Sequence, residues 1–435
     1  MRFHLQGRDA GKPRMTWHIL DAVSPSVKEF ASCLSRVVPT RVWTPHMEWN
    51  AYFARQGKMN LAEPPLELDV FPLQRGYSRR VIGVLSRTNS RLLARLLRSS
   101  SDAERSPLIC TSPFYAAIAE RWPGPVIYYQ TDLVAAYEGV NAAEVRSLDR
   151  RLCRTSAAVC VNSQRIANYM ARDAGCFLDK ITVVQNATRA ANVPGCVSIA
   201  PAALPPDLSG LRRPIVGVIG NMAANVDWCL LENAIARATA FSWAFIGPTE
   251  MHIRDAAQSQ SRQRLMSGQP RVHFAGIKPY SALQSYARAF DVALMPYRRA
   301  EPTFSGSPTR FFEHLAAGRP IVSTRGVEQL LSQEHLLHFV DTAAELVQTL
   351  ESLRGKGFQD GKEVARWQAS KQGTWENRAE AVIATVKPDL DFHDLHPEPG
   401  RSFWNPLRPE MLERASPARI NPCLDSLGTI RKTLH

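Results

Sequence analysis

Short apolar runs alternate along this chain with stretches whose apolar residues recur at helical spacing, an order that predicts parallel strands joined by helices. In the first half the strand-like runs are 15–20, 40–43, 107–110, 125–129, 157–161 and 181–185, with helices expected at 27–37, 114–122 and 163–174. A second series begins with a strand at 215–219 and continues with a helix at 228–239 and strands at 243–246 and 272–274. It goes on with a helix at 281–289, a strand at 292–294, a helix at 308–317 and a strand at 321–324. The expected fold class is α/β, with two doubly wound Rossmann-like domains facing a cleft.

The domains are expected at residues 1–190 and 213–386, joined by a linker at 191–212 that is poor in charge and rich in Pro, Ala and Gly. A helical tail is expected over 343–386, and the proline-containing segment 387–435 has little periodicity. A length of 435 residues suits two cores better than one. Ligands in open α/β sheets bind beyond the carboxyl ends of the strands, so chemistry is expected between the domains.

The most sharply punctuated segment is 305–324, SGSPTRFFEHLAAGRPIVST. Ser307 is the expected N-cap, Pro308 the first helical residue and Gly318 the left-handed terminator, with Pro320 blocking continuation. Phe311, Phe312 and Leu315 point to a core, while Arg310, Glu313 and His314 share the other face. A cation in the first turn opposes the helix dipole at a cost of about 0.3–1 kcal/mol, which an anion bound there would reverse. Taken alone, Arg310 and Glu313 read as a surface ion pair worth about 0.3 kcal/mol.

Charge gives the same hint: 53 Lys and Arg against 40 Asp and Glu leave a net charge of +13, which favours an anionic partner. The cations are dispersed rather than blocked, so nucleic acid is not expected. The densest group, from Arg75 to Arg98, has leucines between its arginines, a pattern shared by solvated helices and by basic amphipathic helices on anionic membrane. No apolar run is long enough to span a bilayer and the first residues lack a signal-peptide core, so the expected location is the cytoplasm or the inner membrane face. Eight cysteines without a C-x-x-C pair suggest reduced thiols, with neither a disulfide framework nor zinc.

A G-x-x-G turn at Gly217 to Gly220 and the Gly247-Pro248 pair are weak phosphate signals, since tight turns need the same residues. A Walker A sequence is missing. In order, however, VGVIGN (216–221), FIGP (245–248), VHFAGIKPYSAL (272–283), FDVALMPY (290–297) and SPTRFFEHLAAGRPIVST (307–324) resemble the nucleotide-binding half of GT-B glycosyltransferases. The nearest branch lies around families GT4 and GT70, which build bacterial polysaccharides and glycolipids. The first domain resembles it more weakly, through YYQTD (128–132), VNS (161–163) and VVQNA (183–187). A W-x-x-R segment at Trp375 to Arg378 also matches.

The resemblance implies transfer of a sugar from a UDP-, GDP- or dTDP-sugar to a saccharide or lipid-linked acceptor, without a metal or other cofactor. By position it places Glu313 on the ribose hydroxyls, Arg310 on the diphosphate, and Gly220 and Asn221 beneath the phosphates. It also places 276–280, with Lys278 and Tyr280, beside the nucleobase, and Ser307 in a loop whose N–H groups face the leaving diphosphate. The chain departs from the retaining pattern Glu-x7-Glu, because Ser305 stands eight residues before Glu313, and no Arg or Lys follows Gly220 at the usual positions. An inverting route needs a base in the first domain. Asp132, after the strand at 125–129, is the first candidate and Asp21 the second, each with a turn or N-cap role as the alternative. Glu301 and His314 are weaker candidates for contact with the donor sugar, and His18 reads as a strand-end structural residue. A sugar-nucleotide epimerase of the same fold and a non-catalytic basic adaptor are the competing functions.

Overall fold

The computed structural model describes residues 15–20, 22, 24–46, 68–72, 106–197, 200–250 and 252–386. In the first domain β1 (Trp17–Leu20), β2 (Thr40–His46), β3 (Leu68–Pro72), β4 (Leu108–Cys110), β5 (Val126–Gln130), β6 (Ala158–Val161) and β7 (Ile181–Val183) form one parallel sheet. Its order is β3-β2-β1-β4-β5-β6-β7. The central strands β1, β4, β5 and β6 are buried along their length, which is why they read as continuous apolar runs rather than alternating ones.

Four helices of this half are α1 (Pro25–Val37), α2 (Ala116–Ala119), α3 (Ala142–Thr155) and α4 (Gln164–Arg172). Ser24 and Ser163 cap α1 and α4 through their hydroxyls. The helix expected at 114–122 is reduced to a 3₁₀ turn, Pro113–Tyr115, followed by the short α2.

The second domain contains β8 (Ile215–Ile219), β9 (Ser242–Ile246), β10 (Val272–Gly276), β11 (Val292–Met295), β12 (Ile321–Ser323) and β13 (His338–Phe339). They are all parallel, in the order β10-β9-β8-β11-β12-β13. Counted from its own first strand this is 3-2-1-4-5-6, so the winding reverses between β8 and β11. The end of β8 is therefore where this winding places a ligand crevice.

Seven helices complete the described chain: α5 (Trp228–Arg237), α6 (Ala256–Met266), α7 (Leu283–Ala289), α8 (Thr309–Ala317), α9 (Ala343–Gly355), α10 (Glu363–Gln372) and α11 (Trp375–Ala384). The sequence pattern missed α6, whose AAQSQSRQRLM has no apolar stripe. The expected tail over 343–386 is three helices, interrupted where Gly357, Phe358 and Gly361 take positive φ.

The last helix crosses back: Trp375, Ala379, Val382 and Ile383 pack into the first-domain core beside Trp17, Phe30 and Tyr129. It thus leaves the second unit, in which the sequence pattern places it. The described residues of the 191–212 segment are anchored as well. Leu208 is buried in the second-domain core, and Arg288 donates to Asn192 O at 2.7 Å. Asp207 accepts from Tyr286 and pairs with Lys278 at 2.7 Å. Among the described residues no helix is long and apolar enough to cross a membrane. The Arg75 to Arg98 group and residues 387–435 lie outside the described residues, as does Asp21.

Trp375→Ala should lower the free energy of unfolding by about 3–5 kcal/mol, the usual cost of emptying a fully buried Trp site. Urea titration checks it, and an unshifted midpoint would show that α11 does not complete the first core.

Candidate functional site

Helix α8 starts at Thr309 and ends at Gly318, which has φ 74 and receives the terminal hydrogen-bond geometry expected of a left-handed cap. Its start differs from the sequence expectation. Pro308 is the N-cap and no side chain caps the helix. Ser307 instead faces the first domain, accepting from Asn186 N at 3.0 Å, while its carbonyl accepts from Asn186 Nδ2 at 2.5 Å.

Arg310 and Glu313 do not pair. The Arg310 guanidinium lies 5.0 Å above the Tyr297 ring and flat against Gly220, where an added Cβ would fall 2.1 Å from Nη2. Gly220 has φ +124, and Gly247, at φ +144, meets the Gly220 carbonyl so closely that its own Cβ would fall 1.9 Å away. Gly247 is thus required by close backbone approach and Gly220 by its positive φ with the guanidinium against it, and together they let the ends of β8 and β9 form a thin wall beneath Arg310. Gly217 has a different reason: a Cβ there would enter the Phe290 ring at 2.2 Å. Arg310 Nη1 is buried and has no hydrogen-bond partner. A cationic donor held at a strand-end crevice with an unmet N–H suits a phosphate oxygen.

Glu313 is only 2% exposed. Its oxygens accept from Tyr280 Oη at 2.7 Å and Asn192 Nδ2 at 3.1 Å, and Thr188 also bonds to it. The Gln284 amide, oriented so that both its ends are satisfied, donates to Glu313 Oε2 at 2.9 Å. Burial raises the Glu313 pKa, and Tyr280, Thr188 and Asn192 act against that shift. A ribose hydroxyl reaching this carboxylate has to displace one of the four.

The other expected contacts fall in several places. Lys278 pairs with Asp207 at 2.7 Å. The Tyr280 ring lies 5.0 Å below the Arg189 guanidinium, which is itself held by two bonds to Glu29. Asn221 follows Gly220 at the end of β8. His314 is wholly buried with neither ring nitrogen partnered, and burial, with the Arg310 charge added, pushes its pKa down to about 3. It is therefore a neutral core residue. His18 is also internal, accepting from Trp43 Nε1 at 3.1 Å.

Ser305 marks the seam between the domains. It is 0% exposed, its carbonyl accepts from Ser163 Oγ, and its hydroxyl donates to Glu301 Oε2 and accepts from Arg165 Nε at 3.0 Å. Arg165 also pairs with Glu301 at 2.8 Å. Glu301 is thus committed to the seam rather than offered to a sugar. Arg165 and Arg189 escaped the sequence reading, whereas Ser163 and Asn186 fall within the VNS and VVQNA segments without their contacts to the loop before α8 being foreseen. A second contact joins exposed loops, where Arg254 pairs with Glu138.

Asp132 lies just beyond β5, beside this seam. Its neighbour Thr131 accepts through its carbonyl from Asn162 Nδ2, and Asn162 precedes the seam residue Ser163. Burial pushes the Asp132 pKa up to about 6, against hydrogen bonds from Tyr137 and Thr131. A carboxylate with that affinity for protons is suited to general-base work near neutral pH. Among the described residues no group of three or more His, Cys, Asp or Glu is arranged to hold a metal ion.

Comparison with known proteins fits this geometry. Residues 213–355 match the family described as Glycosyl transferases group 1. The putative teichuronic acid biosynthesis glycosyltransferase TuaH of Bacillus subtilis (strain 168) is 21% identical over 244 residues, 54% of this chain and 59% of that protein. The chain thus matches less than two thirds of that relative's length. A glycosyltransferase from Rickettsia africae superposes with a TM-score of 0.62 at 12% identity, covering 87% of this chain and 99% of the other. Anabaena Alr3699/HepE in complex with UDP-glucose gives 0.63 at 15% identity, covering 86% and 100%. The family match lies within the second domain, and the fold is GT-B.

Gly220→Ala should destabilise by about 1–3 kcal/mol through its positive φ and the Arg310 contact. Adding Arg310→Ala should recover about 0.5 kcal/mol or more of that loss. Strictly additive penalties in thermal or urea unfolding would show that the guanidinium does not rest on Gly220.

Proposed function

We propose that this GT-B chain transfers a sugar from a nucleoside-diphosphate donor to a saccharide or lipid-linked acceptor, in the synthesis of a cell-surface polysaccharide or glycolipid. The observation that carries the reading is Arg310, laid on Gly220 at the winding reversal of the second sheet, with a buried N–H unmet. That the Anabaena structure holds UDP-glucose supports UDP as the first base to test, and the TuaH likeness supports a polysaccharide acceptor.

In this reading Arg310 meets the diphosphate as it departs, and the first turn of α8 adds its dipole, so the leaving charge is stabilised without a metal. Ser305 occupies the seam where the retaining pattern has a carboxylate, and an inverting displacement follows as the proposed route. Asp132 takes the proton of the acceptor hydroxyl, whose oxygen bonds to the anomeric carbon as the carbon–diphosphate bond breaks. Glu313 meets the ribose after exchanging one of its present donors.

A panel of UDP-, GDP- and dTDP-sugars tests the proposal, with binding read by calorimetry and turnover by nucleotide release. Arg310→Gln should weaken the best nucleotide by about 10- to 100-fold, the value of one or two charge-assisted hydrogen bonds. Turnover should survive EDTA. Equal nucleotide affinity in wild type and Arg310→Gln would defeat the assignment of the donor site.

A further inference from the structure

Arg165 lies in the first turn of α4, two residues after the cap Ser163, and its side chain crosses the seam. Its Nε donates to Glu301 Oε1 at 2.9 Å and to Ser305 Oγ at 3.0 Å, and Nη2 reaches the same Glu301 oxygen at 2.8 Å. Glu301 in turn accepts from Ser305 N at 3.2 Å through its other oxygen. The Arg165 guanidinium also lies 5.0 Å from the centre of the Phe304 ring, which Arg299 meets at 4.9 Å. One first-domain cation thus engages the side chains of residues 301, 304 and 305. Its Nη1 stands 3.9 Å from Glu328 Oε2, an oxygen buried without a hydrogen-bond partner.

Glu301 belongs to the loop after β11 and Glu328 to the 3₁₀ turn Glu328–Ser332 after β12, so the two carboxylates come from neighbouring strand ends of the second sheet. The first of these loops runs directly into α8. Thr303–Ser305 is a 3₁₀ turn closed by Gly306 N donating to Thr303 O at 3.1 Å, and α8 begins four residues after Ser305. Ser163 and Asn186 hold the same loop by hydrogen bonds to Ser305 O and Ser307. Of these three anchors only Arg165 is charged. Its pair with Glu301 is 42% exposed on one side and 32% on the other, so water screens it and its share of global stability is small. Its geometric effect is to fix the approach to Arg310.

We propose that Arg165 is a positioning residue for the nucleotide donor: by holding Glu301, Phe304 and Ser305 from the first domain, it sets the start of α8 and with it the guanidinium of Arg310. This role rests on the reading of Arg310 as the cation that meets the diphosphate. Arginine suits it because a planar fork can bond to a carboxylate and a hydroxyl at once while lying against an aromatic ring. A lysine would keep the charge and lose the fork.

The test titrates UDP, GDP and dTDP into the full chain by calorimetry and carries the tightest through the variants. Arg165→Gln should weaken it by about 3- to 10-fold, while the midpoint of urea unfolding stays near that of wild type. Arg165→Lys should recover part of the loss. In the Arg310→Gln background the same Arg165→Gln change should cost less than about twofold, because both residues act on one ligand contact. Glu301→Gln keeps an acceptor and removes the charge. It should weaken binding in the same direction by less, and it provides the reading if Arg165→Gln does not fold.

Unchanged affinity in Arg165→Gln, or a loss as large in the Arg310→Gln background as in wild type, overturns the role of Arg165. Arg310→Gln by itself separates this from the parent reading. Unaltered affinity there removes the donor site and the Arg165 clamp with it, whereas a weakened Arg310→Gln beside an unaltered Arg165→Gln removes the clamp alone.

Discussion

The buried carboxylate of Glu313 is the constraint around which the second domain and the domain crossing are arranged. An ionised group taken out of water costs several kcal/mol unless its lone pairs are met. Here they are met by Thr188 and Asn192 from the crossing segment, by Tyr280 beyond β10 and by Gln284 of α7. One side chain therefore locates several segments relative to α8. Because the donors are neutral, Glu313 leaves Arg310, one turn earlier, to face the glycine wall. The nearby cation, Arg189, is engaged by Glu29 of α1.

The loop before α8 shows how a short polar sequence can serve assembly rather than chemistry. Ser305 fits between Arg165 and Glu301 because a hydroxyl both donates and accepts, and a carboxylate in its place would face Glu301 directly. Ser307 bonds across to Asn186 and leaves the helix start uncapped. The cost of an uncapped turn, about 1 kcal/mol, is offset by tying α8 to the other domain. Ser163 does both jobs at once, capping α4 and donating to Ser305 O.

Much of the fold was legible because it is written locally. Buried strands announce themselves as apolar runs such as IVGVI at β8, and the end of α8 at Gly318 follows from conformational preferences that act within one turn. What escaped the sequence depends on partners far along the chain. Ser307 meets Asn186 at a separation of 121 residues, and Glu313 meets Asn192 at the same separation. Nothing within a few residues of Ser307 distinguishes a cap from an interdomain acceptor. The Lys278 partner was hidden for the same reason, since Asp207 lies in a segment that reads as linker yet packs as part of the second domain. Helix α6 was hidden by its own composition, because a surface helix with one buried leucine lacks a stripe to detect.

The polypeptide passes between the domains twice, and the two passages are joined to each other. Thr188 N donates to Gly373 O and Trp375 N to Thr188 O, both at 2.9 Å, forming a parallel bridge between Thr188 and Thr374. A single tether lets two bodies swivel in any direction, whereas a pair of bonded tethers resists twisting and leaves bending about one axis as the soft motion. The same arrangement means that cutting the chain once between 191 and 212 would not yield two self-sufficient halves. The amino-terminal piece would lack the helix that closes its core, and the carboxy-terminal piece would carry that helix without a surface to cover. In its covalent logic the protein is one unit folded twice, more than two units joined once.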